Sequence, residues 1–410
     1  MSLESTLLAA LLKDEGIEHF GVTLLTTPIS ISFYSDWLER GYHGDMNYLK
    51  THFELKRDPT RLLPHAKAAI VVAVSYFPHP APVEDWPLQS ESLQLARYAQ
   101  GRDYHHFLKA KMDRVALRLE EKFPSDSFVT FTDSGPVLER DLARRAGLGW
   151  VGKNTCLIDR KEGSMFFLSE IYTTIDPQRL SPSTKTNSVA DPAIDSQASS
   201  LADSLADSVA DPVAHSNQNS SSFQMVPDHC GTCTRCIDAC PTGALVAPRE
   251  LDARKCISYL TIEAKSIPPP DLREKIGDWF FGCDICQTVC PWNLKTHGRD
   301  ALSRKNYRTD NEERSRLVED LRFLLASPFR KLERAFAGTA LLRASGVGLK
   351  RNALIVCANM RVVELLPVVN ALNGHERLGS LAAWTLQILL NEIESRAMAL
   401  DNRANVDEPK

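Results

Sequence analysis

The chain has 410 residues, a formal net charge of −4, 24% charged residues and ten cysteines. That length supports two or three domains with separate cores. The opening MSLESTLLAALLKDEG lacks the basic start and cleavable apolar run of a secretory signal, with no twin-arginine pair, and no apolar stretch reaches membrane-spanning length, so export and membrane insertion are not expected.

The first 180 residues read as an α/β unit. Residues 3–15 have helical apolar spacing and 21–25 form a short strand. The run AAIVVAVSYF at 68–77 is continuously apolar, as in a strand covered on both faces. Residues 103–123 repeat apolar side chains at helical intervals opposite a charged face. A β-rich stretch at 128–132 leads into Asp133-Ser134-Gly135-Pro136 and a helix through about Arg145, and 164–175 returns as a strand. From 181 to 222 the chain repeats Ser-(Val/Leu)-Ala-Asp four times in a polar context that cannot offset its ordering entropy, and it is expected to be a disordered spacer. Five aspartates against one lysine in 183–225 give −4, which leaves the remainder formally neutral.

Two cysteine runs follow. Cys230, Cys233, Cys236, Cys240 and Pro241 spell C-x2-C-x2-C-x3-C-P, and Cys283, Cys286, Cys290 and Pro291 form the second run, with Cys256 between them. The first spacing is that of bacterial ferredoxins, in which the fourth cysteine ligates the other cluster. Cys230, Cys233, Cys236 and Cys290 are therefore expected to hold one [4Fe-4S] cubane. Cys240, Cys256, Cys283 and Cys286 are expected to hold the other. A pair of structural zinc sites is the alternative. Cys156 and Cys357 fall outside the pattern and read as small buried apolar residues. Oxygen-sensitive clusters without an export signal point to the cytoplasm.

Residues 301–395 read as paired amphipathic helices, at 349–360, 362–372 and 378–393, in a short repeat stack. Arg330, Lys331, Arg334, Arg343, Lys350, Arg351 and Arg361 face one acid, Glu333, between 330 and 361, a composition that suits either a phosphate-neutralising surface or a solvated helical face.

Several segments together resemble the epoxyqueuosine reductase family: Tyr42-His43-Gly44-Asp45-Met46, Arg97 through His105, Asp133 through Arg140, Gly147 through Asn154, Asp252 through Thr261 with both cysteine runs, and Leu349-Lys350-Arg351-Asn352-Ala353. The resemblance covers nearly the whole chain outside 181–222. It implies an α/β cobalamin-binding and catalytic domain at 1–180, a ferredoxin-like double [4Fe-4S] domain at 223–300, an all-α HEAT-like repeat region at 301–395 that binds tRNA, and a flexible tail at 396–410. It implies reduction of epoxyqueuosine to queuosine at the wobble position of tRNAs with GUN anticodons, the last step of queuosine biosynthesis. Electrons from a soluble donor would pass through both clusters to convert cob(II)alamin to cob(I)alamin. No D-x-H-x-x-G pattern is present, which fits cobalt without a histidine ligand.

Asp133 matches the family's proton donor; from the residues alone it is a turn residue. Donation at neutral pH calls for a raised pKa, which burial against the corrin would supply. Cobalamin contacts are implied at Thr51, Asp133, Leu157, Leu168, Ser258, Cys283 and Asp284, and tRNA contacts at Lys350 and Arg351. Lys153 and Arg140 are candidates to bind phosphate or orient Asp133. Tyr104 and His105 read first as packing residues. The chain is expected to act as a monomer. Reductive dehalogenases also join cobalamin to two clusters but carry twin-arginine signals and no helical tail, and an electron-carrier subunit would not need the α/β domain or Asp133.

Overall fold

The computed structural model describes residues 3–78, 86–180, 226–303 and 311–404, so the spacer expected at 181–222 lies outside the described residues. Four strands, β1 (His19–Leu24), β2 (Ala68–Ser75), β3 (Phe128–Phe131) and β4 (Phe166–Thr173), form one sheet in the order β1-β2-β4-β3. Every neighbouring pair is antiparallel. The run at β2 lacks polar alternation because helices cover both faces of the sheet. Leu8 and Leu12 of α1 (Leu3–Asp14) and Leu108, Met112 and Val115 of α2 (Tyr104–Lys122) pack on Ile70, Val72 and Ile171. On the other face Leu142 and Ala143 of α3 (Glu139–Arg145) meet Ala69, Val71 and Tyr172. Each large apolar side chain so buried contributes about 1.5–3 kcal/mol. β1 can lie this close to the end of α3 only because Gly21 has no side chain, since a Cβ there would meet the Ala146 carbonyl oxygen at 2.1 Å.

The largest core does not follow the chain's linear order. Leu88, Leu93, Leu95 and Ala99 pack with residues 253–281 of the cysteine module and with helices between 317 and 389. Gln94–Leu95 pairs in parallel with Trp279–Phe281, which stitches the N-terminal portion to the module. The Gly44-Asp45 and Tyr259 motifs meet here. The Asp45 N–H donates to the Tyr259 hydroxyl at 2.7 Å, and a Cβ on Gly44 (φ +57°) would stand 2.3 Å from that oxygen.

At the centre of the helical region is α4 (Ser345–Asn359), buried on every side from Gly348 to Ala358. The last helix, α5 (Gly379–Ala404), runs past the boundary expected at 395, helped by the Glu392–Arg396 pair one turn apart. No helix among the described residues is long and apolar enough to cross a membrane.

The burial of α4 overturns the expected tRNA contacts. Lys350 is 6% exposed and Arg351 3%. The Lys350 ammonium donates to the Leu325 carbonyl at 2.6 Å. The Arg351 guanidinium donates to the carbonyls of Leu260, Ala264 and Ser266, and Asn352 donates to those of Thr261 and Phe280. Arg351 and Asn352 clasp the cysteine module to the helical region, Lys350 ties α4 to its neighbour helix, and none of the three offers a free face for phosphate. Arg351→Met is expected to cost about 3 kcal/mol, because buried carbonyls lose a charged donor. Chemical unfolding measures that loss. The salt dependence of tRNA binding should keep its slope, whereas a fall of about one charge would mean that Arg351 reaches a phosphate.

Candidate functional site

Asp133 follows the end of β3 in a left-handed backbone conformation, φ +53°, uncommon for a residue with a side chain. Its N–H donates to Glu139 Oε1 at 2.6 Å, which anchors the turn to the first residue of α3. Its Oδ2 accepts from the Tyr104 hydroxyl at 2.6 Å and lies 2.9 Å from His105 Nε2. Asp103, the N-cap of α2, places its Oδ1 2.6 Å from His105 Nδ1. The imidazole is thus held between two carboxyls at the start of a helix whose position is set by core packing. Tyr104 and His105 are site residues and not merely packing, which adjacency to a turn motif 28 positions away could not disclose.

The protonation order differs from the expectation. Burial opposes ionisation of Asp133, but the hydrogen bonds from His105 and Tyr104 outweigh it and hold the carboxyl below its usual range. Burial likewise opposes the charged imidazole, yet its bonds to Asp103 and Asp133 push His105 up to about 9. At neutral pH the transferable proton therefore sits on His105, one hydrogen bond from Asp133. The Asp133 side chain stays 43% exposed, open to a substrate.

The cysteines gather as two sets. Cys230, Cys233, Cys236 and Cys290 line one cavity of about 210 Å³ with Lys153, Asn154, Ile158, His229 and Trp292. Trp150 and Ile158 pack behind Cys290. Lys153 is occupied here, donating to the Gly231 carbonyl at 2.6 Å, and Arg140 donates to the Thr155 carbonyl. Neither reaches Asp133. Cys283 lies within electrostatic reach of Cys256 and Cys240, and Cys286 of Cys256 and Cys283. The Ala244 N–H points at Cys240 Sγ from 3.3 Å, a donor suited to a ligated sulfur. Each set offers four sulfurs, the donor number of one cubane.

Cys357 is fully buried, as expected for a small apolar residue, whereas Cys156 lies within electrostatic reach of the Cys286 thiol. Its strand, Leu157–Ile158, carries Leu157 into the same apolar cluster as Leu168 of β4. Asp284 is 3% exposed, and its Oδ2 accepts from the Arg97 N–H at 2.7 Å while Oδ1 has no partner. Burial pushes that carboxyl up to about 6. Such an orphaned acceptor beside Cys283 suits a bound group carrying amide donors, as a corrin does. Ser258 is half-buried one turn of chain from Cys256, and Thr51 is exposed at the end of Tyr48–Thr51. The half-buried Tyr98 ring stands edge-on to Tyr104, centroids 6.1 Å apart, and within electrostatic reach of both Asp133 and Asp284. This links the proton site to the second cysteine set.

The sequence pattern missed Arg343. It pairs with Glu263, donates to the Tyr48 hydroxyl at 3.2 Å and acts electrostatically on Asp133. Of the basic residues grouped between 330 and 361, it is one that bears on the site.

Residues 56–134 match a family described as epoxyqueuosine reductase QueG, and residues 229–293 match a 4Fe-4S double cluster binding domain, which decides for iron–sulfur clusters over zinc. An epoxyqueuosine reductase of Leadbetterella byssophila is 35% identical over 320 residues, 78% of this chain and 87% of its own. One from Xanthomonas campestris pv. campestris is 36% identical over 285 residues, 69% of this chain and 68% of its own. The crystal structure of an epoxyqueuosine reductase with an epoxyqueuosine-modified tRNA-Tyr stem loop superposes with a TM-score of 0.69 at 26% identity, covering 94% of this chain and 89% of that one.

Proposed function

The chain belongs to the epoxyqueuosine reductase family, and on that footing we propose that it reduces epoxyqueuosine to queuosine at the wobble position of tRNAs with GUN anticodons, with two [4Fe-4S] clusters and cobalamin as its cofactors. The observation that carries this reading is the nearness of a proton-bearing site at Asp133 to Asp284 beside the second cysteine set, with Tyr98 between them. Cys230, Cys233, Cys236 and Cys290 would hold one cluster, and Cys240, Cys256, Cys283 and Cys286 the other. Thr51, Leu157, Leu168, Ser258, Cys283 and Asp284 would hold the corrin beside Asp133. When bound, these groups supply the single electrons for a net two-electron reduction.

The protein's own part is proton management and positioning. Removing an epoxide oxygen as water consumes two protons. Asp133 is open to the substrate and can pass on the proton that His105 keeps, while Asp103 stabilises the imidazolium and fixes its orientation. Tyr104 aligns the carboxyl. Arg343 lies where it would meet the negative charge of the anticodon stem-loop, in place of Lys350 and Arg351. A monomer in the cytoplasm fed by a soluble electron donor completes the reading.

The test is anaerobic turnover of epoxyqueuosine-containing tRNA by reconstituted, chemically reduced protein, followed by nucleoside mass spectrometry with and without added cobalamin. Queuosine should form only with both clusters and the corrin. Corrin-independent turnover, or none under full reconstitution, refutes the proposal.

A further inference from the structure

Behind Asp133 lies a pair of carboxyls that the proton path does not use. Glu170 is on the interior strand β4, opposite Val71 of β2 and Phe131 of β3. By strand alternation it shares a face with Leu168 and Tyr172, the face covered by α3. It is 0% exposed, and neither carboxyl oxygen has a hydrogen-bond partner. Glu139, at the start of α3, faces it and receives the Asp133 N–H. The surrounding charges are committed elsewhere. Lys56 is buried and donates to the Val137 carbonyl at 2.8 Å, Arg140 donates to Thr155, and Arg145 pairs with Asp141 at 2.8 Å. Tyr172 completes the titratable groups around the pair. Lys56 and Arg140 offset part of the charge, but Glu170 is fully buried without a hydrogen-bond partner, and three ionised carboxylates this close would repel one another.

We propose that Glu139 and Glu170 are positioning residues that retain their protons, leaving Asp133 as the one ionised carboxylate of this corner, free to take up the proton held by His105. Glu139 also holds the left-handed turn through the Asp133 N–H. The pair's role in turnover rests on the reductase reading above; its protonation does not. Burial, then the Asp133 charge, pushes Glu139 up to about 8, and burial with Glu139 and Asp133 raises Glu170 well above the ordinary range. Above pH about 8 a new negative charge on Glu139 would tighten the hold of Asp133 and His105 on their proton, before His105 itself titrates at about 9.

Infrared difference spectra of the full-length, cluster-reconstituted protein without tRNA give the direct test. The wild type should show carboxylic acid carbonyl bands at neutral pH that shift in D2O, with separate components lost in E139Q and E170Q. In turnover, the alkaline limb should move from about 8 in the wild type to about 9 in E139Q. A third reading is stability, and it uses the raised folded pKa of Glu170: such a group loses its contribution as pH climbs above the unfolded glutamate value, so E170Q should gain progressively on the wild type as pH rises from there. Absence of the bands, an unshifted alkaline limb, or an E170Q that is unfolded or equally weakened at every pH overturns the proposal. Bands present without any queuosine formation would instead sink the reductase reading.

Discussion

Asp133→Asn is expected to lower queuosine formation by about 10²–10⁴-fold while leaving tRNA affinity within a few-fold of wild type. An asparagine carbonyl can still accept the Tyr104 hydroxyl and fill the same turn, so the geometry that seats the substrate survives. What disappears is the carboxylate that takes a proton from His105 and hands it on. His105→Gln should also be slow, because the proton store is gone, but it should lose the pH dependence near 9 that the imidazole imposes. The sign follows from the ion pairs. The proton remains on His105 below its raised pKa and leaves as pH rises through about 9, so the wild-type activity that outlasts ionisation of Glu139 near 8 is lost there. Single-turnover rates from pre-reduced enzyme across pH give both quantities. An Asp133→Asn enzyme with wild-type rates would remove Asp133 from the chemistry.

The second large effect concerns Cys256, the ligand candidate that no C-x-x-C run contains. Cys256→Ala should abolish turnover and, by emptying the inner cluster (Cys240, Cys256, Cys283 and Cys286), lower iron from about eight to about four atoms per chain, leaving the signal of the outer cluster (Cys230, Cys233, Cys236 and Cys290) intact. Cys233→Ala should halve iron in the same way but erase the outer signal instead. The assignment follows from backbone geometry. Cys256 is the N-cap of the helix Ile257–Ile262, which sets its sulfur within electrostatic reach of Cys240, while Cys283 and Cys286 approach from the other run. Iron analysis with electron paramagnetic resonance on anaerobically purified protein separates the two variants. Full iron content in Cys256→Ala would hand the ligand role to Cys156, the thiol already within electrostatic reach of Cys286.

The loss from the Cys256 substitution should be local in origin. The Arg351 and Asn352 clasp grips the module at Leu260, Thr261, Ala264, Ser266 and Phe280, and none of these bonds runs through Cys256. The helical region should therefore stay docked when the inner cluster is absent, and tRNA binding should outlast turnover.

Much of the site was legible in the residues because its chemistry is encoded at short range. Cysteine spacing within a single turn fixes which sulfurs can share a cluster, and a residue between a strand and a helix is bound to sit at a strand end where side chains are accessible. Both cysteine runs belong to that class, as does the doubly covered strand β2, whereas Asp133 read from the residues alone as a turn and only the family resemblance singled it out. Charge was the misleading signal. In a helix with one wet face, a Lys-Arg pair marks the wet face; α4 has none, and its cations serve carbonyls at the ends of other segments instead. Which helix becomes central depends on how all the others pack, and no local pattern states that. The proton order at Asp133 and His105 and the orphaned oxygens of Glu170 have the same origin. Ionisation responds to charges and solvent within a few ångströms, and those neighbours, drawn from β3, β4, α2 and α3, come together only when the chain has folded.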